Sequence, residues 1–133
     1  MINFGGSVTI IGSKDNVPYK IGVKRPFKDG YILTENVINR SLITSGTYER
    51  YFEYNDRIYH HIISNKDGYP IDNGITSVTI NCENPLMGDF LSTSILILGE
   101  EKGKELLEAI KSSFGDNELS AILIDKDENI IRF

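Results

Sequence analysis

Several residue types are scarce in this chain: one cysteine, two methionines, two histidines, four prolines and no tryptophan among 133 residues. With Cys82 alone, no internal disulfide is possible, and the thiol is read as buried and inert; the redox compartment stays open. Long apolar runs are missing too. The longest, Ile95–Leu98, is far too short to cross a bilayer. Met1-Ile2-Asn3-Phe4-Gly5-Gly6 lacks the basic and apolar regions of a signal peptide, and reads as a strand continuing something earlier. Positive charge is in deficit: 14 basic against 19 acidic residues give a net charge of −5. Such a surface has no broad attraction for nucleic acid or anionic lipid, so no nucleic-acid partner is expected. What remains is 40% apolar and 25% charged, the profile of a globular chain, with a length that suits one domain over 1–133 and a modest core. No internal repeat or low-complexity tract interrupts it.

The first part of the chain reads as β structure. Ser7-Val8-Thr9-Ile10-Ile11 and Tyr19-Lys20-Ile21-Gly22-Val23 alternate or are β-branched, separated by a polar turn at Ser13–Asn16. Tyr31–Thr34 follows the turn at Lys28-Asp29-Gly30. Tyr48–Tyr54 and Arg57–Ile63 flank Asn55-Asp56, a hairpin signal, and Asn73-Gly74 opens a strand over Ile75–Cys82. After Pro85 the period changes. Leu86, Phe90, Leu91, Ser94, Ile95 and Leu98 recur at helical spacing, and Gly99 closes that helix. A second helix is predicted over Glu101–Ser113, with acidic residues early, Lys111 late and Gly103 as an awkward insertion in its first turn. Leu119–Ile124 and Ile130–Phe133 form strands around Asp125-Lys126-Asp127-Glu128-Asn129. That turn lacks the glycine and closing glutamate of a calcium loop. Strands, two consecutive helices, then strands predict an α+β fold with a largely antiparallel sheet.

Three segments carry groups that folding alone does not require. Thr44-Ser45-Gly46-Thr47-Tyr48-Glu49-Arg50 sets hydroxyls beside a glycine. Such a segment is either a polar turn before a strand or a place where backbone and hydroxyls approach a phosphate or ring. Tyr59-His60-His61-Ile62-Ile63 places its histidines on opposite faces of a strand, so only one can serve a given site. The other is then a surface residue, and the one at the site suits general-base work near neutral pH. Gly88-Asp89-Phe90-Leu91-Ser92-Thr93 puts Asp89 and Thr93 four apart on one helical face. A carboxylate beside a hydroxyl is a hard-oxygen pair suited to Mg²⁺, although Asp89 also fits as an acid favoured by the helix dipole.

Taken in order, these segments resemble the ApbE family of FAD:protein FMN transferases. The resemblance runs from Ile2 to about Gly103. Asn3-Phe4-Gly5-Gly6 is like the family's apolar-then-Gly-Gly strand, and Tyr19-Lys20-Ile21-Gly22-Val23…Pro26 is similar to its aromatic-x-φ-Gly-φ…Pro segment, φ being apolar. Thr44-Ser45-Gly46-x-Tyr48-Glu49-Arg50-Tyr51-Phe52 resembles the TSG-x-YERYF signature, and His61-Ile62-Ile63…Gly68-Tyr69-Pro70 the HII-D-P-x-T-G-Y-P block. Ser77-Val78-Thr79-Ile80 and Gly88–Thr93, ending at Leu98-Gly99, resemble the family's SVTV and AD-x-LST…LG blocks. Three positions depart: Ser64-Asn65 stands where the family has Asp-Pro, and Asp67 where it has threonine.

The resemblance implies a substrate, FAD, a cofactor, Mg²⁺, and an acceptor flavoprotein that receives FMN on threonine or serine through a phosphoester. It implies His61 as the base, Asp89 and Thr93 as Mg²⁺ ligands, and Thr44, Ser45 and Gly46 as flavin contacts. Because the chain matches the second half of the family pattern, it implies an enzyme completed by an N-terminal half or by a second copy in a homo-oligomer. The alternative is an inactive ApbE-like module that binds flavin or a protein. Export or membrane anchoring is likewise implied only by the resemblance.

Overall fold

The computed structural model describes residues 1–133 and has the α+β architecture expected from the element order. Its main layer is a six-stranded sheet. In spatial order the strands are β1 (Ile2–Asn3), β2 (Ser7–Thr9), β5 (Ser41–Gly46), β8 (Ile75–Cys82), β9 (Ser120–Asp125) and β10 (Ile130–Arg132). Every neighbouring pair is antiparallel. Two hairpins stand apart from it: β3 (Tyr19–Lys24) with β4 (Tyr31–Val37), and β6 (Tyr51–Tyr54) with β7 (Arg57–His60). Helices α1 (Pro85–Leu98) and α2 (Glu100–Phe114) cover one face of the sheet.

Local chemistry sets the helix ends. Asn84 takes an extended conformation, and its side-chain carbonyl accepts from the Leu86 N–H at 3.0 Å, while Pro85 supplies a pre-set φ in the first turn. Gly99 stops α1 at φ 80° and donates to the Ile95 carbonyl. Asn73, read from sequence only as opening the strand over Ile75–Cys82, also holds this end. Its amide donates to the Leu96 and Ile97 carbonyls at 2.9 and 3.3 Å, satisfying acceptors that the helix leaves open. Gly103, which looked awkward, is what lets the helices approach. A Cβ there would lie 2.6 Å from Ile95 Cγ2.

The core lies between the helices and the sheet, with Leu91, Ile95, Leu96 and Leu107 packed on Ile43, Val78, Ile80 and Leu123. A smaller cluster of Ile10, Val37 and Leu42 sits where the β3–β4 hairpin covers the other face. Cys82 is in the first cluster, and burial pushes its thiol up to about 11. The native chain is therefore expected to be silent towards a disulfide reagent at pH 8 and to react fully once unfolded. Rapid labelling of the folded protein would contradict this placement.

Several boundaries move. Thr44–Gly46, the start of the segment open to a polar-turn reading, completes the central strand β5, and only Thr47–Arg50 turns before β6. The hydroxyls of β5 hid the β pattern, but each finds a partner: Ser41 Oγ lies 3.0 Å from Thr9 Oγ1, and Thr44 Oγ1 lies 2.8 Å from Thr79 Oγ1. The strand expected over Tyr48–Tyr54 begins only at Tyr51. Tyr48 instead folds its ring back under Gly46, where a Cβ would lie 2.5 Å from the ring, and it is buried. Arg57–Ile63 leaves the ladder after His60, and α2 starts at Glu100. The Asp125 loop is a hairpin turn, as expected. The Asp125 carboxylate accepts from the Asn129 side-chain amide at 2.9 Å and from the Asp127 and Asn129 N–H groups, both at 2.8 Å; the amide first, then the backbone bonds, hold it below the usual carboxylate range.

Candidate functional site

Strand β5 brings the sequence candidates to two grooves. Because side chains alternate along a strand, Ser45 points towards α1 whereas Thr44 points to the opposite face. The first groove, about 780 Å³, is open and polar; Ser45, Arg50, His61, Asp89 and Thr93 are among its lining residues. The second, about 390 Å³, lies between the sheet and the β3–β4 hairpin, with Lys20, Lys24, Tyr31 and Thr79 in its wall. Gly5, Thr44, Gly46 and Glu49 line both, so the grooves meet at the end of β5. Of the three residues taken together as flavin contacts, Ser45 thus stands on one side of the sheet and Thr44 with Gly46 at the junction.

The two histidines serve different places, but the one away from the groove is not the surface residue expected, and β7 ends at His60, so strand alternation does not set His61. His60 is buried. Its Nε2 lies 3.1 Å from the Ile71 carbonyl, and its Nδ1 accepts from the Ile62 N–H at 3.3 Å. A carbonyl only accepts, so Nε2 carries the proton and the ring is neutral. Burial pushes its pKa down, which favours that state. His61 is exposed in the groove. Its Nδ1 is 3.3 Å from the Arg50 carbonyl, which also accepts the His61 N–H at 3.2 Å. The same argument puts the neutral ring's proton on Nδ1 and leaves the Nε2 lone pair free. That tautomer can take a proton from a bound hydroxyl. Sequence reading missed the part played by Arg50, because the contribution is a backbone carbonyl and leaves no side-chain signature.

The loop after His61 closes despite its departures from the family pattern. Ser64 N–H donates to the Tyr69 carbonyl at 2.8 Å, and Gly68 N–H to the Ser64 carbonyl at 3.0 Å. Ser64 Oγ accepts from Lys66 N–H at 3.2 Å, and Asp67 Oδ1 from Tyr69 N–H at 3.1 Å. Short polar side chains bonded to backbone two residues on do here what a proline ring does elsewhere. The Tyr69 N–H is also the main reason the exposed Asp67 carboxyl is held below its ordinary range.

On α1, Asp89 is exposed at the groove and Thr93 is half-buried. Thr93 Oγ1 lies 2.9 Å from Ser45 Oγ, which is itself 2.8 Å from Ser92 Oγ; Ser92 Oγ donates to the Asp89 carbonyl at 3.1 Å. Ser92, three positions from Asp89, could have been placed on this face by helical spacing. Nowhere do three or more histidine, cysteine or acidic side chains gather as a metal cage. The chemistry of the pair nevertheless fits a hard cation. The carboxylate of Asp89 and the hydroxyl of Thr93 are the two groups here that could hold such an ion.

Comparison with known proteins bears on the family and the fold. The ApbE family model matches residues 1–114. The FAD:protein FMN transferase of Klebsiella pneumoniae (strain 342) is 39% identical over 133 residues, covering 98% of this chain and 39% of that protein. The one from Haemophilus influenzae is 32% identical over 133 residues, with 97% and 36% covered. Among solved structures, the ApbE protein of Thermotoga maritima superposes with a TM-score of 0.80 at 32% identity, over 96% of this chain and 40% of that one. The flavin transferase ApbE of Vibrio cholerae gives 0.68 at 25% identity, over 98% and 40%. The chain thus spans roughly two fifths of the relatives it matches. With most of its length under the family model and the same antiparallel sheet and helix pair, the chain belongs to the ApbE family.

Proposed function

We propose that this chain contributes the base and part of the metal site of an FAD:protein FMN transferase, as part of a longer or complemented enzyme. The observation that carries this reading is the meeting of His61, Asp89 and Thr93 in one groove, from segments otherwise far apart in the chain. FAD is the substrate, lying across the junction of the two grooves, with its pyrophosphate on the Asp89–Thr93 side. Nε2 of His61 takes the proton of an acceptor threonine or serine as its oxygen bonds to the FMN phosphorus. The phosphorus–oxygen bond to AMP breaks, and AMP leaves with that electron pair. Magnesium, when bound, supplies positive charge against the pyrophosphate oxygens. Asp89 and Thr93 hold that charge in place, and Thr44 and Gly46 let the flavin approach the strand.

Asp89→Ala is expected to abolish Mg²⁺-dependent FMN transfer, read as the mass gain of an acceptor flavoprotein, while the thermal midpoint stays close to that of the parent. Unchanged transfer would remove Asp89 from the site. A second reading, a module that binds flavin without transferring it, draws on the replaced Asp-Pro and threonine of the loop beside His61. It predicts FAD retention and a thermal shift with no FMN transfer.

A further inference from the structure

The hydroxyls between β5 and α1 have only one proton order that satisfies them all. Ser92 Oγ bonds the Asp89 carbonyl, an acceptor only, so Ser92 spends its single proton there. The 2.8 Å contact between Ser92 and Ser45 then needs the Ser45 proton. With that proton committed, the 2.9 Å contact between Ser45 and Thr93 needs the proton of Thr93. The order therefore runs one way, from Thr93 to Ser45 to Ser92 to the Asp89 carbonyl. Ser92 is fully buried, and its end of the chain is shielded from competing water.

This order matters because of what a helical threonine does otherwise. Its hydroxyl ordinarily bonds back to the carbonyl four residues earlier, which here is that of Asp89. Ser92 occupies that carbonyl, and Ser45 draws the Thr93 proton towards the sheet. Both lone pairs of Thr93 Oγ1 are then left free of Ser45, and Thr93 lines the same groove as Asp89.

We propose that Ser45 is a positioning residue: by accepting the Thr93 proton, with Ser92 and the Asp89 carbonyl behind it, it aims the Thr93 oxygen at a divalent cation beside the Asp89 carboxylate. This rests on the cation reading above and assigns Ser45 a role through Thr93 in place of direct flavin contact. Partners behind a metal ligand commonly change affinity by about 10–100-fold.

Two measurements on the 133-residue chain separate the parts. Three-bond scalar couplings to the Thr93 methyl carbon report its χ1. The parent is expected to show one rotamer, Ser45→Ala an average of rotamers, and Ser45→Thr, which keeps the hydroxyl, a single one again. Mn²⁺ serves as the cation probe, read by paramagnetic broadening at Asp89 and Thr93. The concentration for half-broadening is expected to rise about tenfold in Ser45→Ala. Ser92→Ala, which frees the Ser45 proton to reverse the order, is expected to shift it the same way. A single Thr93 rotamer in Ser45→Ala with unchanged Mn²⁺ broadening would overturn the positioning role. An absence of broadening in the parent would reject the cation site itself, and with it the purpose of the hydroxyl order.

Discussion

His61→Ala is expected to lower FMN transfer by about 10²–10⁴-fold, the usual contribution of a positioned general base. Two features of the structure make the imidazole a specific expectation. The Arg50 carbonyl accepts from Nδ1, which leaves Nε2 as the basic nitrogen, and the same carbonyl accepts the His61 backbone N–H. His61 is therefore held to the Arg50 carbonyl twice, through its ring and through its backbone N–H, and it lines one groove with Asp89 and Thr93. Because His61 is exposed and outside the core, its removal should leave the thermal midpoint nearly unchanged. The assay follows FMN addition to the acceptor by mass and AMP release in parallel. It uses whichever form transfers, this chain alone or one complemented by the remainder its longer relatives carry. A loss below tenfold would mean that another group takes the proton. His60→Ala tests the contrast, since the buried ring should affect stability through its bonds to Ile62 and Ile71.

Gly88→Ala is expected to destabilise the fold by about 1–3 kcal/mol, the cost of overpacking a filled core. Helix propensity alone predicts the opposite sign, because alanine is favoured over glycine by about 1 kcal/mol inside a helix. Packing decides. A Cβ at Gly88 would lie 2.6 Å from Cys82 Sγ and 2.7 Å from Ile43 Cγ1, and both side chains are buried under α1. Neither is the loose end of a surface chain, so relief requires α1 to lift from the sheet. Asp89 is the next residue, and Thr93 is one turn further on, so the same movement would separate Thr93 from Ser45. The predicted signature is a thermal midpoint lower by roughly 4 °C per kcal/mol together with a weaker cation site. A variant as stable as the parent would show that α1 tolerates the extra methyl.

Much of the fold could be read from the chain, for reasons that are local. The Pro85 start and Gly99 stop of α1, the helical spacing between them, the β-branched run of β8 and the Asn55-Asp56 turn all act within a few residues. Asp89 and Thr93 were legible as neighbours because four positions on a helix make one face. That only one of the two histidines serves the groove was legible, but the end of β7 at His60 and the burial of that residue were not. What stayed hidden was β5, whose Ser41, Thr44 and Ser45 resemble turn residues until partners on β2, β8 and α1 satisfy their hydroxyls. Gly103 was read as a weakness because its worth lies in contact with Ile95, outside its own turn.

Sequence by itself determined the residue types, the helix pair, most strands and, through the ordered blocks, the family resemblance. Tertiary structure alone decided that Ser45 meets Thr93, that Arg50 fixes the His61 tautomer, and that Thr44 and Ser45 serve opposite faces of one strand. The reason is physical. Capping, turns and periodicity are properties of a few adjacent residues, whereas a hydroxyl's proton direction or an imidazole's tautomer is set by whichever atom the fold places some 3 Å away.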